Sequence, residues 1–147
     1  MKNWNTNNIP NLNGKTAVVT GANSGLGLVA TKELAGKGCH VVMACRSADK
    51  AKKAVIEVKQ AHPDASVEVI SLDLSSLSSI KQFSDEIHQR FKSIDILCNN
   101  AGVMDIPYLK TADGFEMQFG TNHLGHFALT GQLLDLIANT EGARIIT

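Results

Sequence analysis

The sequence predicts an α/β fold in which helices cover both faces of a doubly wound parallel sheet. Two observations carry this prediction: short runs of apolar residues alternate with longer segments of helical periodicity, and a glycine-rich turn follows the first run. Continuous apolar strands are typical of parallel sheets, because right-handed crossovers bury both faces under helices. The predicted strand order is 3-2-1-4-5.

The predicted strands are short segments rich in apolar and β-branched residues. They are Thr16–Thr20, His40–Cys45, Ser66–Leu72, Ile94–Cys98 and Ala143–Thr147. The fifth strand reaches the last residue, so we expect a sheet that is incomplete on its C-terminal side. An uncovered edge and exposed apolar residues there would favour self-association.

The first two predicted helices follow the first two strands. Helix one is Gly25–Gly36, and its apolar spacing predicts a buried face of Leu26, Val29, Ala30 and Leu34. Helix two follows the candidate N-cap Ser47 and ends before His62-Pro63-Asp64. Its predicted buried face is Ala51, Ala54, Val55 and Val58.

The later helical regions carry a longer apolar pattern. Helix three begins after either Ser75 or Ser76, and its apolar stripe is Leu77, Ile80, Phe83, Ile87 and Phe91. A largely helical region then extends from about Asp113 to Asn139, interrupted at Gly120 and Gly125. Gly142 ends this region before the fifth strand.

Length and composition indicate one folded domain without nucleic-acid character. The chain has 147 residues, and 14 basic residues balance 14 acidic ones. A nucleic-acid binder or a membrane-surface protein would carry a basic excess. An apolar fraction of 44% is ordinary for a globular domain.

The first 14 residues predict a polar arm, because they contain six asparagines and no apolar block. This composition does not resemble a signal peptide, and no apolar stretch is long enough to span a bilayer. The three cysteines, Cys39, Cys45 and Cys98, form no CxxC pair and suit a reducing compartment. These features predict a cytoplasmic protein.

The glycine-rich turn TGANSGLG at 20–27 predicts a phosphate-binding site. Gly21 allows a tight turn, Gly25 removes the side chain where a pyrophosphate would approach, and Gly27 allows close packing of helix and strand. The helix start offers unpaired N–H groups to an anion, and Asn23 and Ser24 add polar side chains. The strand–turn–helix context favours a ligand site over a plain connection.

Several motifs together resemble the short-chain dehydrogenase/reductase family. They are the TGxxxGxG turn at 20–27, Asp73-Leu74 after the third strand, NNAG at 99–102 and Asn122. The stretch 111–130 is similar to the branch that includes retinol dehydrogenase-like proteins and protochlorophyllide reductase. The resemblance implies a Rossmann-like dinucleotide-binding domain over residues 15–147.

The resemblance also implies roles for individual residues. Those expected to bind the cofactor are Gly21, Asn23, Ser24, Gly25, Leu26, Gly27, Asp73, Leu74, Asn100, Ala101 and Gly102. Asp73 would bind the adenine amino group, although a carboxylate at a strand end can instead cap the next helix. Asn122 would be the active-site asparagine that holds a water; the alternative, a helix-break residue bonding its own backbone, is compatible with that role. Asn99 is expected to stabilise the sheet.

The end of the second strand predicts the choice of cofactor. NAD-specific folds carry an acidic residue there for the ribose 2′-hydroxyl, whereas this chain has Arg46 and Ser47. A guanidinium suits a 2′-phosphate. Asp49 is the rival ribose ligand, but its place four residues before Lys53 also suits a helix-dipole and ion-pair role. The prediction is NADP(H) in preference to NAD(H).

His123 and His126 raise the question of a metal. Zinc sites need three or four ligands, and no third ligand is evident near this pair. Both histidines are therefore interpreted as packing residues, and no metal is predicted.

The family's chemistry uses a serine and a YxxxK pair to handle the carbonyl oxygen and its proton. The only tyrosine here, Tyr108, is followed four residues later by Ala112. The resemblance implies an oxidoreductase moving hydride between NADP(H) and a small carbonyl or alcohol substrate. We expect a truncated chain that binds cofactor without turnover. The alternative is a non-catalytic NADP-binding domain, or one piece of a complex completed by another chain.

Overall fold

A computed structural model describes residues 4–147, and it confirms the predicted fold class and strand order. One parallel sheet has the order β3-β2-β1-β4-β5. The strands are β1 Thr16–Thr20, β2 His40–Cys45, β3 Val67–Ser71, β4 Ile96–Cys98 and β5 Arg144–Ile146. β4 begins two residues later than predicted, and the N–H of the buried Ile94 donates to the Leu136 carbonyl outside the sheet.

Helices fill the connections between the strands. They are α1 Gly25–Gly36, α2 Ala48–Ala61, α3 Leu77–Arg90, α4 Met117–Phe119, α5 His126–Gln132 and α6 Leu134–Ala138. A π-helical segment, Gly120–Gly125, joins α4 to α5. The glycines at its two ends match the predicted interruptions. A side chain at Gly120 would overlap Thr111, and one at Gly125 would overlap the Leu74 backbone.

Serine side chains begin two of the helices. The Ser47 hydroxyl accepts the N–H of Lys50 at the start of α2, as predicted. The Ser76 hydroxyl accepts the N–H of Ser79 at the start of α3, which decides between the two predicted caps. Ser75 bonds Asp73 instead.

The core consists of two layers, one on each face of the sheet. Val18 of β1 and Val42 of β2 lie in one layer with residues of α3 and α5. Ala17 and Val19 lie in the other layer with residues of α1 and α2. Alternate residues of one strand therefore enter opposite layers, which explains why the central strands are apolar throughout.

The predicted buried face of α1 is wrong for Leu26 and Val29, whereas Leu34 is half-buried and packs against the core. Its buried residues are Gly27, Thr31 and Ala35, while Leu26 is 81% exposed and Val29 is 54% exposed. The helix lies close to the sheet through these small residues, and the Thr31 hydroxyl is satisfied by the Gly27 carbonyl at 2.8 Å. Close approach of backbone, rather than apolar side-chain size, decides which face is buried.

The described part of the predicted polar arm, residues 4–14, contains one 3₁₀ turn at Thr6–Asn8. The N–H of Leu12 donates to the Lys37 carbonyl at 2.8 Å, which holds the arm against the end of α1. The first three residues of the arm lie outside the described residues. Within residues 4–147, no helix combines the length and the apolar character needed to cross a membrane.

Candidate functional site

A cleft of about 130 Å³ opens at the carboxyl ends of β1, β2, β3 and β4. This is where the connections leave the sheet in opposite directions, the usual ligand position of doubly wound folds. The cleft is lined by six predicted site residues, Gly21, Arg46, Asp73, Leu74, Ala101 and Gly102. Sequence reasoning missed four further lining residues, Ala44, Leu72, Val103 and Thr121.

The glycine-rich turn has the geometry expected of a phosphate site. Gly21 and Gly25 have φ of +65° and +53°, a conformation that favours glycine. A Cβ at Gly21 would lie 3.0 Å from the Ala101 Cα, and one at Gly27 would lie 2.5 Å from the Gly21 carbonyl oxygen. A Cβ at Gly25 would meet nothing within 4 Å, so the space over this residue is open to a ligand.

The start of α1 has unused hydrogen-bonding capacity. Ser24 occupies the N-cap position with extended backbone, yet its side chain makes no capping hydrogen bond. The first-turn N–H groups of α1 therefore receive no side-chain oxygen from the cap and retain the positive end of the helix dipole. Asn23 is half-buried beside this exposed serine. These groups suit the oxygens of a pyrophosphate.

Arg46 lines the cleft, and Ser47 follows it as the N-cap of α2. Arg46 is exposed, and it takes part in none of the ion pairs found within residues 4–147. Ser47 accepts the Lys50 N–H at 3.5 Å, which leaves its own hydroxyl hydrogen for another acceptor. Asp49 lies exposed in the first turn of α2, the position that a helix-dipole role predicts, but it forms none of the ion pairs found within residues 4–147, so the predicted pair with Lys53 is absent there.

Asp73 makes the capping contacts considered from the sequence. One carboxylate oxygen accepts from the N–H and the hydroxyl of Ser75 at 2.9 and 2.7 Å, so the residue caps the turn before α3. Its own N–H donates to the Ser79 hydroxyl at 2.9 Å. Asp73 also lines the cleft, beside the buried Leu74.

Thr20 holds the NNAG segment against the end of β1, a role that sequence reasoning missed. Its hydroxyl oxygen accepts from the N–H groups of Asn100 and Ala101, both at 2.9 Å. The Asn100 amide donates back to the Thr20 carbonyl at 2.8 Å. Thr20 is fully buried. A polar residue that follows a run of three apolar residues, directly before the glycine turn, was the signal available in the sequence.

Asn122 lies on the π-helical segment beside the cleft. Its carboxamide oxygen accepts from the Val103 N–H at 2.8 Å, and its amide donates to the Val103 carbonyl at 2.8 Å. It therefore bonds the backbone of another segment, so the alternative in which it bonds its own backbone is wrong. A Cβ on Gly102 would lie 3.5 Å from the Asn122 side-chain oxygen.

Asn99 is bonded to the sheet. Its N–H donates to the Ile146 carbonyl at 2.8 Å, and its side-chain amide donates to Thr130 at 3.1 Å. These bonds join the end of β4 to β5 and α5, in agreement with the predicted structural role.

The two histidines differ in environment. His126 is buried, with Nε2 2.9 Å from the Thr20 hydroxyl and Nδ1 2.9 Å from the Asn122 carbonyl. His123 is exposed, and its ring stacks on Phe119 with the ring centroids 5.3 Å apart, so it packs at the surface and not in the core. No group of three His, Cys, Asp or Glu residues within the described part of the chain could hold a metal.

We expect His126 to make the folded state less stable in acid. Burial holds the pKa of its imidazole below the ordinary 6.5, against the hydrogen bond to the Asn122 carbonyl, which raises it. The side chain that the ring contacts is the uncharged Thr20. His123, three residues before it, lines the same small cavity. As pH falls, the imidazole of His126 takes up a proton in the unfolded chain before it does so in the folded chain. The stabilisation that the neutral ring gives is therefore complete above pH 6.5 and is lost as pH falls through the folded-state pKa.

Urea unfolding of the unmodified chain and of His126→Asn at about pH 7.5 and about pH 5.5 measures this effect. The stability difference between the two should shrink in acid. His88 is the control: hydrogen bonds to the Ser84 carbonyl and to Asp135 raise its pKa. The stabilisation that protonated His88 gives is complete below pH 6.5 and is lost as pH rises. The difference in stability between the unmodified chain and His88→Asn should therefore grow in acid. The same direction in both variants would contradict the expectation.

Comparison with known proteins covers nearly the whole chain. Residues 15–147 match the short chain dehydrogenase family. Retinol dehydrogenase 13 of Homo sapiens is 47% identical over 133 residues, which are 90% of this chain and 40% of that protein. Retinol dehydrogenase 14 of Mus musculus is 46% identical over 145 residues, covering 92% of this chain and 43% of that protein. The chain thus spans less than half the length of these relatives.

Solved structures show the same arrangement. An uncharacterised protein from Mycobacterium paratuberculosis is 47% identical with a TM-score of 0.80, over 90% of this chain and 46% of that one. The Pseudomonas aeruginosa RhlG/NADP active-site complex is 26% identical with a TM-score of 0.74, over 91% of this chain and 54% of that one.

Proposed function

We propose that this chain, which belongs to the short-chain dehydrogenase family, supplies the cofactor-binding part of an oxidoreductase. The reaction would move a hydride between NADP(H) and a small carbonyl or alcohol substrate. The observation that carries the proposal is the convergence of Gly21, Arg46, Asp73 and Ala101 on one cleft. These residues come from the ends of β1, β2, β3 and β4.

The residues of the cleft fit a dinucleotide. The open space over Gly25 and the uncapped start of α1 suit the pyrophosphate. Asp73 would bind the adenine, and Arg46 with Ser47 would bind a 2′-phosphate. Bound there, the cofactor supplies or accepts the hydride. The protein's own part is to orient it over the Ala101 segment, which Thr20 holds in place.

A preference for NADP(H) over NAD(H) rests on Arg46. It is an exposed cation at the end of β2 whose guanidinium is not engaged by a carboxylate of residues 4–147. The RhlG relative is described with NADP, which supports the same choice here. A hydrogen bond to a charged group contributes about 1.5–3 kcal/mol, or roughly one to two decades of affinity.

Titration calorimetry with NADPH and NADH tests this preference. The unmodified chain should bind NADPH about 10- to 100-fold more tightly. Arg46→Ala should weaken NADPH binding by that factor and leave NADH binding unchanged. Lys59→Ala, which removes an exposed cation at the far end of α2, is the matched control and should change neither. Equal affinities of the unmodified chain for the two cofactors would contradict the proposal.

We further propose that the 147 residues alone bind cofactor without turnover. The side chain of Asn122 is engaged with Val103 through both of its polar atoms. Tyr108 is 75% exposed, and Ala112 stands four residues after it.

Self-association through β5 stays a prediction; Ile145 and Ile146 of that strand are 42% and 47% exposed.

A further inference from the structure

The ring of His126 lies between the Asn122 segment and the end of β1. It is only 4% exposed. Nδ1 is 2.9 Å from the backbone carbonyl of Asn122, and Nε2 is 2.9 Å from the hydroxyl of Thr20. One buried side chain therefore bonds both the segment that carries Asn122 and the residue that holds the NNAG loop.

The partners of the ring determine where its proton lies. The Thr20 oxygen already accepts the N–H groups of Asn100 and Ala101, so its two lone pairs are used. Its hydrogen is left to donate, and the His126 Nε2 at 2.9 Å is closer than the Cys98 carbonyl at 3.3 Å. Nδ1 faces a carbonyl and must carry the ring hydrogen. The contacts thus specify the neutral Nδ1–H form.

We propose that His126 is a positioning residue that couples the Asn122 segment to the loop of Asn100 and Ala101 through the hydroxyl of Thr20. When the Thr20 hydroxyl donates its hydrogen to Nε2, its two lone pairs point at the N–H groups of Asn100 and Ala101. Without this acceptor, the hydroxyl hydrogen turns to the Cys98 carbonyl at 3.3 Å, which moves the lone pairs away from the two loop N–H groups and loosens the loop. The consequence for the cofactor rests on the proposed function, because the loop would lie beneath the nicotinamide.

Three substitutions separate the two contacts of the ring. In His126→Gln the side-chain amide reaches the position of Nε2 and can accept from Thr20. In His126→Asn it reaches the position of Nδ1 and can donate only to the Asn122 carbonyl. His126→Phe keeps the ring volume and makes neither bond. His88→Asn is the control, since His88 has the same pattern, with Nδ1 on the Ser84 carbonyl and Nε2 on Asp135.

Calorimetric titration of NADPH gives the first readout. We expect affinity within about twofold of the unmodified chain for His126→Gln and His88→Asn, and about five- to tenfold weaker for His126→Asn and His126→Phe. A purely structural role would weaken the Gln variant as much as the Phe variant. Equal affinities for these two variants would overturn the proposal.

Amide hydrogen exchange and imidazole ¹⁵N shifts give readouts that need no cofactor. The Asn100 and Ala101 amides should exchange about tenfold faster in the Asn and Phe variants than in the Gln variant. The unmodified chain should show the Nδ1–H form at neutral pH; an Nε2–H form, or unchanged exchange in all variants, would overturn the proposal. If the unmodified chain fails to bind NADPH, the proposed function fails, while exchange and ¹⁵N shifts still decide the role of His126.

Discussion

The 147-residue chain is expected to oxidise NADPH no faster than a buffer blank when supplied with aldehydes, ketones or quinones. Hydride transfer to a carbonyl builds negative charge on oxygen, which a catalyst must protonate or stabilise. General acid–base help contributes about 10²–10⁴-fold, and an oxygen-stabilising donor contributes about 10²–10³-fold. A site that lacks both groups loses about 10⁴–10⁷-fold in rate.

The polar groups near the cleft are not placed to act as a proton donor in this reaction. Asn122 is a carboxamide, which exchanges no proton near neutral pH, and both of its polar atoms bond Val103. His126 is buried with both ring nitrogens bonded. His123 is exposed and stacked on Phe119, outside the set of residues that line the cleft.

Absorbance at the reduced nicotinamide band measures this rate. Gly25→Trp is the matched control, because it places a bulky side chain in the open space over the turn and at a positive φ. Calorimetry on the same samples shows whether the unmodified chain binds NADPH. Sustained oxidation that scales with protein concentration and disappears in Gly25→Trp would contradict the prediction.

The sequence predicted the elements whose signals are local. The bounds of β1, α1 and β2 were predicted correctly, because each ends at a glycine or at a change of apolar period. The buried face of α1 was not, because burial there follows backbone approach at Gly27 rather than the size of Leu26. Pairing also trimmed β3, β4 and β5, since strand length depends on a neighbour that periodicity does not specify.

In the site, too, local features were predictable from the sequence and long-range contacts were not. The glycine turn and the Asp73 position were predictable because each belongs to one short segment with a known structural context. The bond between Thr20 and His126 was not, because it joins residues 106 positions apart. A histidine on an apolar helix face gives no sign in the sequence of which buried hydroxyl it will meet. Likewise, the contact of Asn122 with Val103 depends on the tertiary approach of two loops.

Gly27→Ala is expected to lower the free energy of unfolding by about 1–3 kcal/mol and to weaken NADPH binding together with it. A Cβ at this position would lie 2.5 Å from the Gly21 carbonyl oxygen and would overlap the Asn100 side-chain amide. Neither neighbour can yield easily: Gly21 is backbone in a tight turn, and the Asn100 amide bonds the Thr20 carbonyl. The methyl group therefore pushes α1 away from the loop that forms the cleft.

Urea denaturation and NADPH titration of Gly27→Ala and Gly131→Ala measure this effect. Gly131 lies in α5, where a Cβ would meet nothing within 4 Å, so the control gains only helix propensity. It should be more stable than the unmodified chain by about 0.5–1 kcal/mol, with unchanged NADPH affinity. Both variants replace glycine by alanine inside a helix, so both gain the same helix propensity. The remaining difference in their free energies of unfolding measures the cost of the close contact at the turn. A Gly27→Ala chain as stable as Gly131→Ala would show that α1 can move away from Gly21 at no cost, and the role assigned to the third glycine of the turn would be wrong.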